Sequence, residues 1–368
     1  MLSPESLVRI YRRVESRKVK ALGFAAMRHL GFRHFAVRMD TINLCNLRCK
    51  MCYYSSDYHR TKEEMDLPLF RRIAEQLFSK TRFLYLSCAT EPLTNKHFAE
   101  FVRAAGEYRV PFTSFCTNGL LLTREVVQAC IETRLSEIIF SIDGATAPTY
   151  EAIRRGGKWD RLLEKLQLLA EMKRQASSRY PETRINFTCM LSNIRELPDM
   201  VHFAADHEAR SLDVRHLLAY ADEENSCEEE RTYLEIFNSV AREARQEAAL
   251  RGIDLLLPDP VPERSPAALG KTCLTDGSRR EANPHCMLPW YQAYFSWQGD
   301  FWVCSKHMLG NLREHTFAEL YGGPQMRSIR RKMLWHPLDS CSWNCHEDAR
   351  STPEQTSTLI EIAPSAGT

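Results

Sequence analysis

A strand–helix alternation running from residue 38 to residue 217 confines this chain to the α/β class. The runs Phe35–Thr41, Arg82–Cys88, Phe112–Cys116, Glu137–Ile142, Arg184–Leu191 and Leu212–Leu217 are short and rich in β-branched or aromatic residues, and read as strands. Leu67–Phe78, His97–Tyr108, Arg124–Thr133, Trp159–Arg174 and Leu197–His207 carry apolar residues at three- and four-residue intervals, and read as helices. Six such units in succession predict a parallel sheet packed under helices. Six is too few to close a standard eight-stranded barrel. In parallel β/α architectures chemistry gathers at the C-terminal ends of the strands. The residues just after each run are therefore the candidates for a site.

The first run ends in such a candidate. Asn43-Leu44-Cys45-Asn46-Leu47-Arg48-Cys49-Lys50-Met51-Cys52 has the spacing C-x3-C-x2-C. Three thiolates on one short loop can hold three irons of a [4Fe–4S] cube and leave the fourth iron open for another ligand. The same thiols can instead seat a zinc ion, with His59 completing the tetrahedron. Thirteen cysteines are many for 368 residues; their number is odd and they group by motif, which favours metal binding over a disulfide framework. Free thiols and oxygen-labile clusters fit a reducing cytoplasm. A net charge of +2, from 49 basic and 47 acidic residues, singles out no class of partner and gives no reason to expect nucleic acid. Residues 1–40 lack the apolar core of a signal peptide, and no stretch is long and apolar enough to span a bilayer. A basic segment over residues 3–34, with Leu7, Ile10, Tyr11 and Val14, can pack on the sheet or touch an anionic membrane, and the first use is the commoner.

A second cysteine group lies near the other end. Cys286-Met287-Leu288-Pro289-Trp290 is followed by Gly299-Asp300-Phe301-Trp302-Val303-Cys304, with a turn at Gln298-Gly299-Asp300, then by Leu309-Gly310-Asn311-Leu312 and Cys341-Ser342-Trp343-Asn344-Cys345. Four thiolates suffice for one closed [4Fe–4S] cluster or for a structural zinc. The expected division is a basic helical extension over 1–37, a core over 38–227, a linking helix and loop over 228–285, a cysteine-rich domain over 286–350 and a tail over 351–368.

The cysteine loop, followed one β–α unit later by Ser87-Cys88-Ala89-Thr90-Glu91-Pro92-Leu93, resembles the signature of the radical S-adenosylmethionine (radical SAM) enzymes. The resemblance continues in Thr117-Asn118-Gly119, Ser141-Ile142-Asp143-Gly144 and Tyr150-Glu151-Ala152-Ile153-Arg154-Arg155-Gly156-Gly157. It implies a partial (βα)6 barrel resembling a TIM barrel, a [4Fe–4S] cluster on Cys45, Cys49 and Cys52, and SAM on the open iron. It further implies SAM contacts by Glu91, Asn118, Ser141 and Arg154: Glu91 in the turn that meets the amino group, Ser141 at the ribose, and Arg154 at the carboxylate through its two-pronged fork. Asn118 and Asp143 can also serve simply as turn formers. Ala89 and Thr90 stand where the family usually has two glycines. The C-terminal group resembles the SPASM or twitch extension of these enzymes, but lacks one further Cys-x2-Cys pair. The resemblance therefore implies one auxiliary [4Fe–4S] cluster on Cys286, Cys304, Cys341 and Cys345, with Cys273 as a spare thiol.

By resemblance, SAM is cleaved reductively to a 5′-deoxyadenosyl radical that abstracts hydrogen from a substrate, and the auxiliary cluster accepts or relays an electron. An external one-electron reductant of the flavodoxin or ferredoxin type is implied. A small molecule or carbohydrate is the expected substrate, undergoing dehydrogenation or epimerisation, because the short N-terminal segment does not look like a separate peptide-binding domain. A peptide or protein maturase is the alternative. A non-catalytic zinc or iron–sulfur scaffold is a third reading, from a different class. Cys88, Cys116 and Cys189 lie at or near strand ends, where a thiol facing a substrate radical can donate hydrogen.

Overall fold

The computed structural model describes residues 16–52, 62–217, 227–258, 286–304 and 307–335, together with Val14 and Leu338. Its strands are β1 (Phe35–Met39), β2 (Thr81–Tyr85), β3 (Phe112–Thr117), β4 (Glu137–Ser141), β5 (Glu182–Cys189), β6 (Ser211–His216), β7 (Asp254–Leu256), β8 (Gln292–Phe295), β9 (Asp300–Cys304) and β10 (His307–Asn311). They form one ten-stranded sheet in the order β10-β9-β8-β1-β2-β3-β4-β5-β6-β7, with β7 and β10 at its edges. Strands β1 to β7 run parallel, β8 joins β1 in parallel on the other side, and β9 and β10 close as an antiparallel meander. The expected partial (βα)6 barrel is thus present as an open parallel sheet. The cysteine-rich C-terminal segment does not pack beside it as a detached layer: three of its strands extend the same sheet.

The helices are α1 (Arg17–His29), α2 (Leu67–Leu77), α3 (Phe98–Gly106), α4 (Arg124–Thr133), α5 (Ala147–Ile153), α6 (Trp159–Gln175), α7 (Leu197–Asp206), α8 (Cys227–Arg251), α9 (Leu288–Tyr291), α10 (Phe317–Gly322) and α11 (Pro324–Met333). Helix α2 shows why these form where they do. The Asp66 carboxylate accepts the Leu69 N–H at 2.8 Å, Pro68 sits in the first turn, and Leu69, Phe70, Ile73, Ala74 and Leu77 bury one stripe. Phe70 stacks on Phe101 of α3 with ring centroids 4.6 Å apart. Helix α1 packs on the C-terminal segment: Phe24 stacks on Tyr291, and Arg17 Nη1 donates to the Met333 carbonyl at 2.7 Å. The sequence pattern missed α5, the short β7 and the three helices of the C-terminal segment, α9 to α11.

Alternation divides the strand side chains. Phe35 packs outward on Phe317 and Tyr321, whereas Arg38 and Asp40 point to the concave face. The concave face is strongly polar. Glu137, Arg184 and Asp213 are all buried there, with Arg184 Nε 3.1 Å from Glu137 Oε1.

Candidate active site

The mouth of the sheet is organised by Asp40, which is 1% exposed at the end of β1. Its Oδ1 accepts the N–H groups of Cys88 and Ala89, both at 2.9 Å, and its Oδ2 accepts the Tyr294 hydroxyl at 2.8 Å. The run after β2 is therefore bent into a turn after Tyr85 instead of continuing to Cys88 as a strand. Thr90 Oγ1 donates to the Ile42 carbonyl at 2.7 Å, and Glu91 N–H to the Leu44 carbonyl at 3.1 Å. The Thr-Glu-Pro turn is thereby fastened to the backbone leading into Cys45.

Glu91 is 2% exposed. Its Oε1 accepts from Thr117 Oγ1 at 2.6 Å and from Leu93 N–H at 3.2 Å, and its Oε2 accepts from Asn118 N–H at 2.7 Å. Burial pushes its carboxyl up to about 7, against the pull of those donors. Its side chain thus knits the β2 and β3 turns together. Asn118 does two jobs: its Oδ1 accepts from Leu120 N–H at 3.1 Å, forming a local turn, and its Nδ2 donates to Asn46 Oδ1 in the cysteine loop at 2.8 Å. Ser141, at the end of β4, has its Oγ 3.2 Å from Cys116 Sγ, and both residues are half-buried on the concave face. Cys88 joins them there, with Arg38 Nε 3.3 Å from its sulfur. Cys189 does not. It is fully buried, and an interaction with Tyr233 of α8 places it on the convex side.

The cysteine loop is clamped from the far side by the segment after α5. Arg48 N–H donates to the Arg155 carbonyl and Lys50 N–H to the Ile153 carbonyl, both at 2.9 Å. Gly156, at φ +92°, lies against Leu47 and Asn46, where its backbone conformation disfavours any side chain. Between these contacts Arg154 reaches inward. Its Nε and Nη2 each stand 2.6 Å from Asp143 Oδ2, and its Nη1 is 3.7 Å from Cys49 Sγ. Asp143 is no mere turn former: its Oδ1 also accepts Thr188 N–H at 2.7 Å, and its carbonyl accepts Asn193 Nδ2 at 3.0 Å. Burial works against the charge on Arg154, but the Asp143 carboxylate and the Cys49 sulfur outweigh it and hold the guanidinium firmly protonated.

The donor set fits an iron–sulfur cluster. Burial pushes the Cys45 thiol up to about 12 and raises Cys49, despite the Leu47 N–H on the one and Arg154 on the other. Buried thiols of this kind become thiolates only beside a metal that repays the lost solvation. Among the described residues no three Cys, His, Asp or Glu side chains converge on a single ion position. A cube asks for less convergence, because each thiolate takes its own iron. His59, Cys273, Cys341 and Cys345 lie outside the described residues. Cys286 precedes α9 and Cys304 ends β9, both half-buried. The β8–β9 hairpin turns at Gly299 (φ +95°), as the Gln298-Gly299-Asp300 signal predicted.

Comparison with known proteins agrees with this geometry. Residues 39–204 match the radical SAM superfamily, and residues 286–346 match SPASM, an iron–sulfur cluster-binding domain. The chain is 24% identical over 190 residues to a tungsten-containing aldehyde ferredoxin oxidoreductase cofactor-modifying protein of Pyrococcus furiosus, covering 50% of this chain and 52% of that protein. It is 28% identical over 165 residues to the mycofactocin maturase MftC of Mycobacterium tuberculosis, covering 45% of this chain and 40% of MftC. The match therefore spans about half the length of these relatives or less. Streptococcus suis SuiB, solved with its precursor peptide SuiA, superposes with a TM-score of 0.59 at 14% identity, over 83% of this chain and 69% of SuiB, and so shares the fold. A radical SAM domain carries a [4Fe–4S] cluster with SAM, and a SPASM domain carries auxiliary iron–sulfur clusters. Missed by sequence reasoning were Arg38, Asp40, Glu137, Arg184, Arg215 and Tyr294, all on the concave face. For all but Tyr294 a signal was available: charged residues inside strands that parallel packing should bury on both sides.

Proposed function

We propose that this chain, which carries a radical SAM domain followed by a SPASM domain, matures a peptide or protein substrate by radical chemistry. The observation that carries the reading is its kinship with a maturase, MftC, joined to a fold shared with SuiB, which was solved holding a precursor peptide. These relatives reverse the expected order of substrates. The small-molecule or carbohydrate reading rested on the N-terminal segment not looking like a separate peptide-binding domain, and the kinship with MftC and the fold shared with SuiB weigh more than that.

Bound on Cys45, Cys49 and Cys52, the [4Fe–4S] cluster with SAM supplies a 5′-deoxyadenosyl radical that takes a hydrogen atom from the substrate. The protein's own part is positioning. Arg154 and Asp143 fix the side of the loop that carries Cys49. Glu91 and Asn118 lock the turns around the SAM position, and Ser141 faces the same space as a ribose contact. With its guanidinium committed to Asp143, Arg154 meets the SAM carboxylate, if at all, through Nη1. Cys286, Cys304, Cys341 and Cys345 would hold one auxiliary cluster, which would supply an acceptor for the electron left on the substrate. An external flavodoxin- or ferredoxin-type protein supplies the priming electron, in the reducing cytoplasm. Among the described residues no helix is long and apolar enough to cross a membrane.

The test is anaerobic reconstitution, reduction with SAM, and coexpression with short peptides encoded beside the gene. Release of 5′-deoxyadenosine, together with loss of hydrogen from a peptide, supports the maturase. An intact cluster with no SAM cleavage supports the scaffold reading, and cleavage coupled only to a sugar or another small molecule restores the original order. Cys49→Ala removes an iron ligand and abolishes cleavage.

A further inference from the structure

Helix α1 is apolar on two sides, and the fold packs only one of them. On the inner side Phe24 stacks on Tyr291 of α9, and Arg17 Nη1 ties the helix start to the Met333 carbonyl at the end of α11. On the outer side Val19, Leu22, Ala26 and Leu30 recur at steps of three and four residues, and so line one stripe along the solvent face. Leu22 and Leu30 are 70% and 68% exposed, and Val19 and Phe32 are more than half exposed. A water-facing apolar stripe on a helix whose inner face is already packed marks a contact surface. Trp335, just past α11, adds an indole at the start of this stripe: it is exposed, and the Lys18 ammonium sits 3.6 Å from its ring centre. Cations frame the apolar residues. Helices α1 and α11 carry four Arg or Lys each and no Asp or Glu, and Lys18, Arg28, Arg331 and Lys332 are exposed. Residues 1–34 hold eight Arg or Lys against two Glu, in a chain whose totals are 49 basic and 47 acidic.

We propose that α1, with Phe32 and Trp335, lies on the surface of an anionic membrane, its stripe against the acyl chains and its cations at the headgroups. An occupant must answer both features of this face. A second copy of the chain would set cation against cation across a two-fold axis. Nucleic acid would answer the cations and leave the leucines in water. An anionic lipid surface answers both, and an indole suits the boundary between headgroup and chain. The arrangement also keeps the candidate active site free. Arg33, next to Phe32, donates to the Phe78 and Thr81 carbonyls, so this end of the stripe lies at the N-terminal edge of the strands. The cysteine loop follows the C-terminal end of β1, at the opposite edge. The concave face therefore stays open to water while α1 is docked.

The full chain, reconstituted anaerobically, is mixed at physiological ionic strength with vesicles of phosphatidylcholine alone or of equimolar phosphatidylcholine and phosphatidylglycerol, and the bound fraction is read by flotation. The wild type partitions more than about tenfold more strongly onto the anionic vesicles, each Arg or Lys near the surface being worth about fivefold. The double variant Leu22→Ser, Leu30→Ser lowers that partitioning by about tenfold or more, the factor for returning one leucine side chain to water. The triple variant Lys18→Gln, Arg331→Gln, Lys332→Gln weakens binding to the anionic vesicles and leaves the neutral ones unchanged. All five positions are exposed, so the variants fold, and iron content with far-ultraviolet dichroism checks that they do. Four results overturn the proposal. They are equal binding to both vesicles by the wild type, anionic binding that survives the leucine pair, a solution dimer that the leucine pair dissociates, and tighter retention by duplex DNA than by the anionic vesicles. Vesicle binding needs neither SAM nor substrate, so its failure is distinct from a failure of the maturase reading.

Discussion

Replacing Arg154 by Met isolates the clamp behind the cysteine loop. In the wild type Asp143 is 0% exposed, and its Oδ2 receives two nitrogens of Arg154, each at 2.6 Å. The variant keeps the Thr188 N–H on Oδ1 but leaves Oδ2 charged, buried and bare. Two unit charges at about 4 Å and an effective dielectric of 20 attract by about 4 kcal/mol. Breaking one side of a buried pair costs about 3–5 kcal/mol by experiment elsewhere. The two figures agree, so we expect a loss of about 4 kcal/mol, a large fraction of the roughly 5–15 kcal/mol that holds a domain folded. Denaturant unfolding of the reduced apoprotein under argon measures it. A second variant, Asp143→Asn, and the double variant close a thermodynamic cycle that isolates the pair. The double variant should lose less than the sum of the two singles, because it leaves no uncompensated charge. Iron bound per chain after reconstitution gives a separate readout, since Arg48 and Lys50 hang on the backbone at Arg155 and Ile153. If Arg154→Met costs less than about 1 kcal/mol, or if the cycle shows no coupling, the buried clamp is refuted.

Further outcomes can be checked on the same material. Cys304→Ala should spare SAM cleavage to 5′-deoxyadenosine and block formation of modified peptide; normal product would show that the C-terminal cluster is not the electron acceptor. Burial pushes the Glu137 carboxyl up to about 7 from its ordinary 4.5, against the pull of Arg184. A carboxyl raised in the folded state is stabilising while protonated, so stability should fall as pH rises from about 4.5 to 7, by roughly 1–3 kcal/mol. Glu137→Gln should flatten that slope in denaturant midpoints taken across the window, and an unchanged slope would contradict it. Tyr294→Phe removes the hydroxyl that donates to Asp40 and should cost about 1–2 kcal/mol by denaturation. Faster amide exchange at Cys88 and Ala89 should accompany that loss.

The parts of the fold that depend on periodicity were legible in the sequence. Strand Glu137–Ser141 and helix Arg124–Thr133 fall within a residue of their expected bounds, because a buried apolar run and an amphipathic stripe are local patterns. Strand β2 stopped short for a reason no local pattern contains. Asp40, more than forty residues away, captures the two amides that would have continued it. Helix α5 was missed because its seven residues, Ala147–Ile153, span too few turns to show a period. The cysteine loop could be singled out in the sequence because ligand spacing is itself a chemical requirement, and its part as a ligand set is the proposal made above. The partner of Arg154 could not be singled out. A fork that suits a SAM carboxylate suits Asp143 equally well, and only the fold decides which carboxylate lies 2.6 Å away.

Asp40 also explains why the SPASM segment belongs to the same sheet. Strand β8 pairs with β1 through Ala36–Met39, which brings Tyr294 opposite Arg38 and two positions from Asp40, on the same face. One Asp40 oxygen then holds the turn that carries Glu91 toward the cysteine loop, and the other holds a strand that leads through β9 to Cys304. Burial and the neighbouring Asp40 charge push the Tyr294 phenol well above its usual range, so it stays a donor across the working pH range. A shift of β8 along β1 therefore cannot occur without disturbing the turn at Cys88 and Ala89, and the converse holds too. The sheet thus fixes the segment bearing Cys304 relative to the loop bearing Cys45, Cys49 and Cys52. The electron transfer proposed above would need that separation to stay constant, and a continuous sheet resists the sliding that a linker between two bodies would allow.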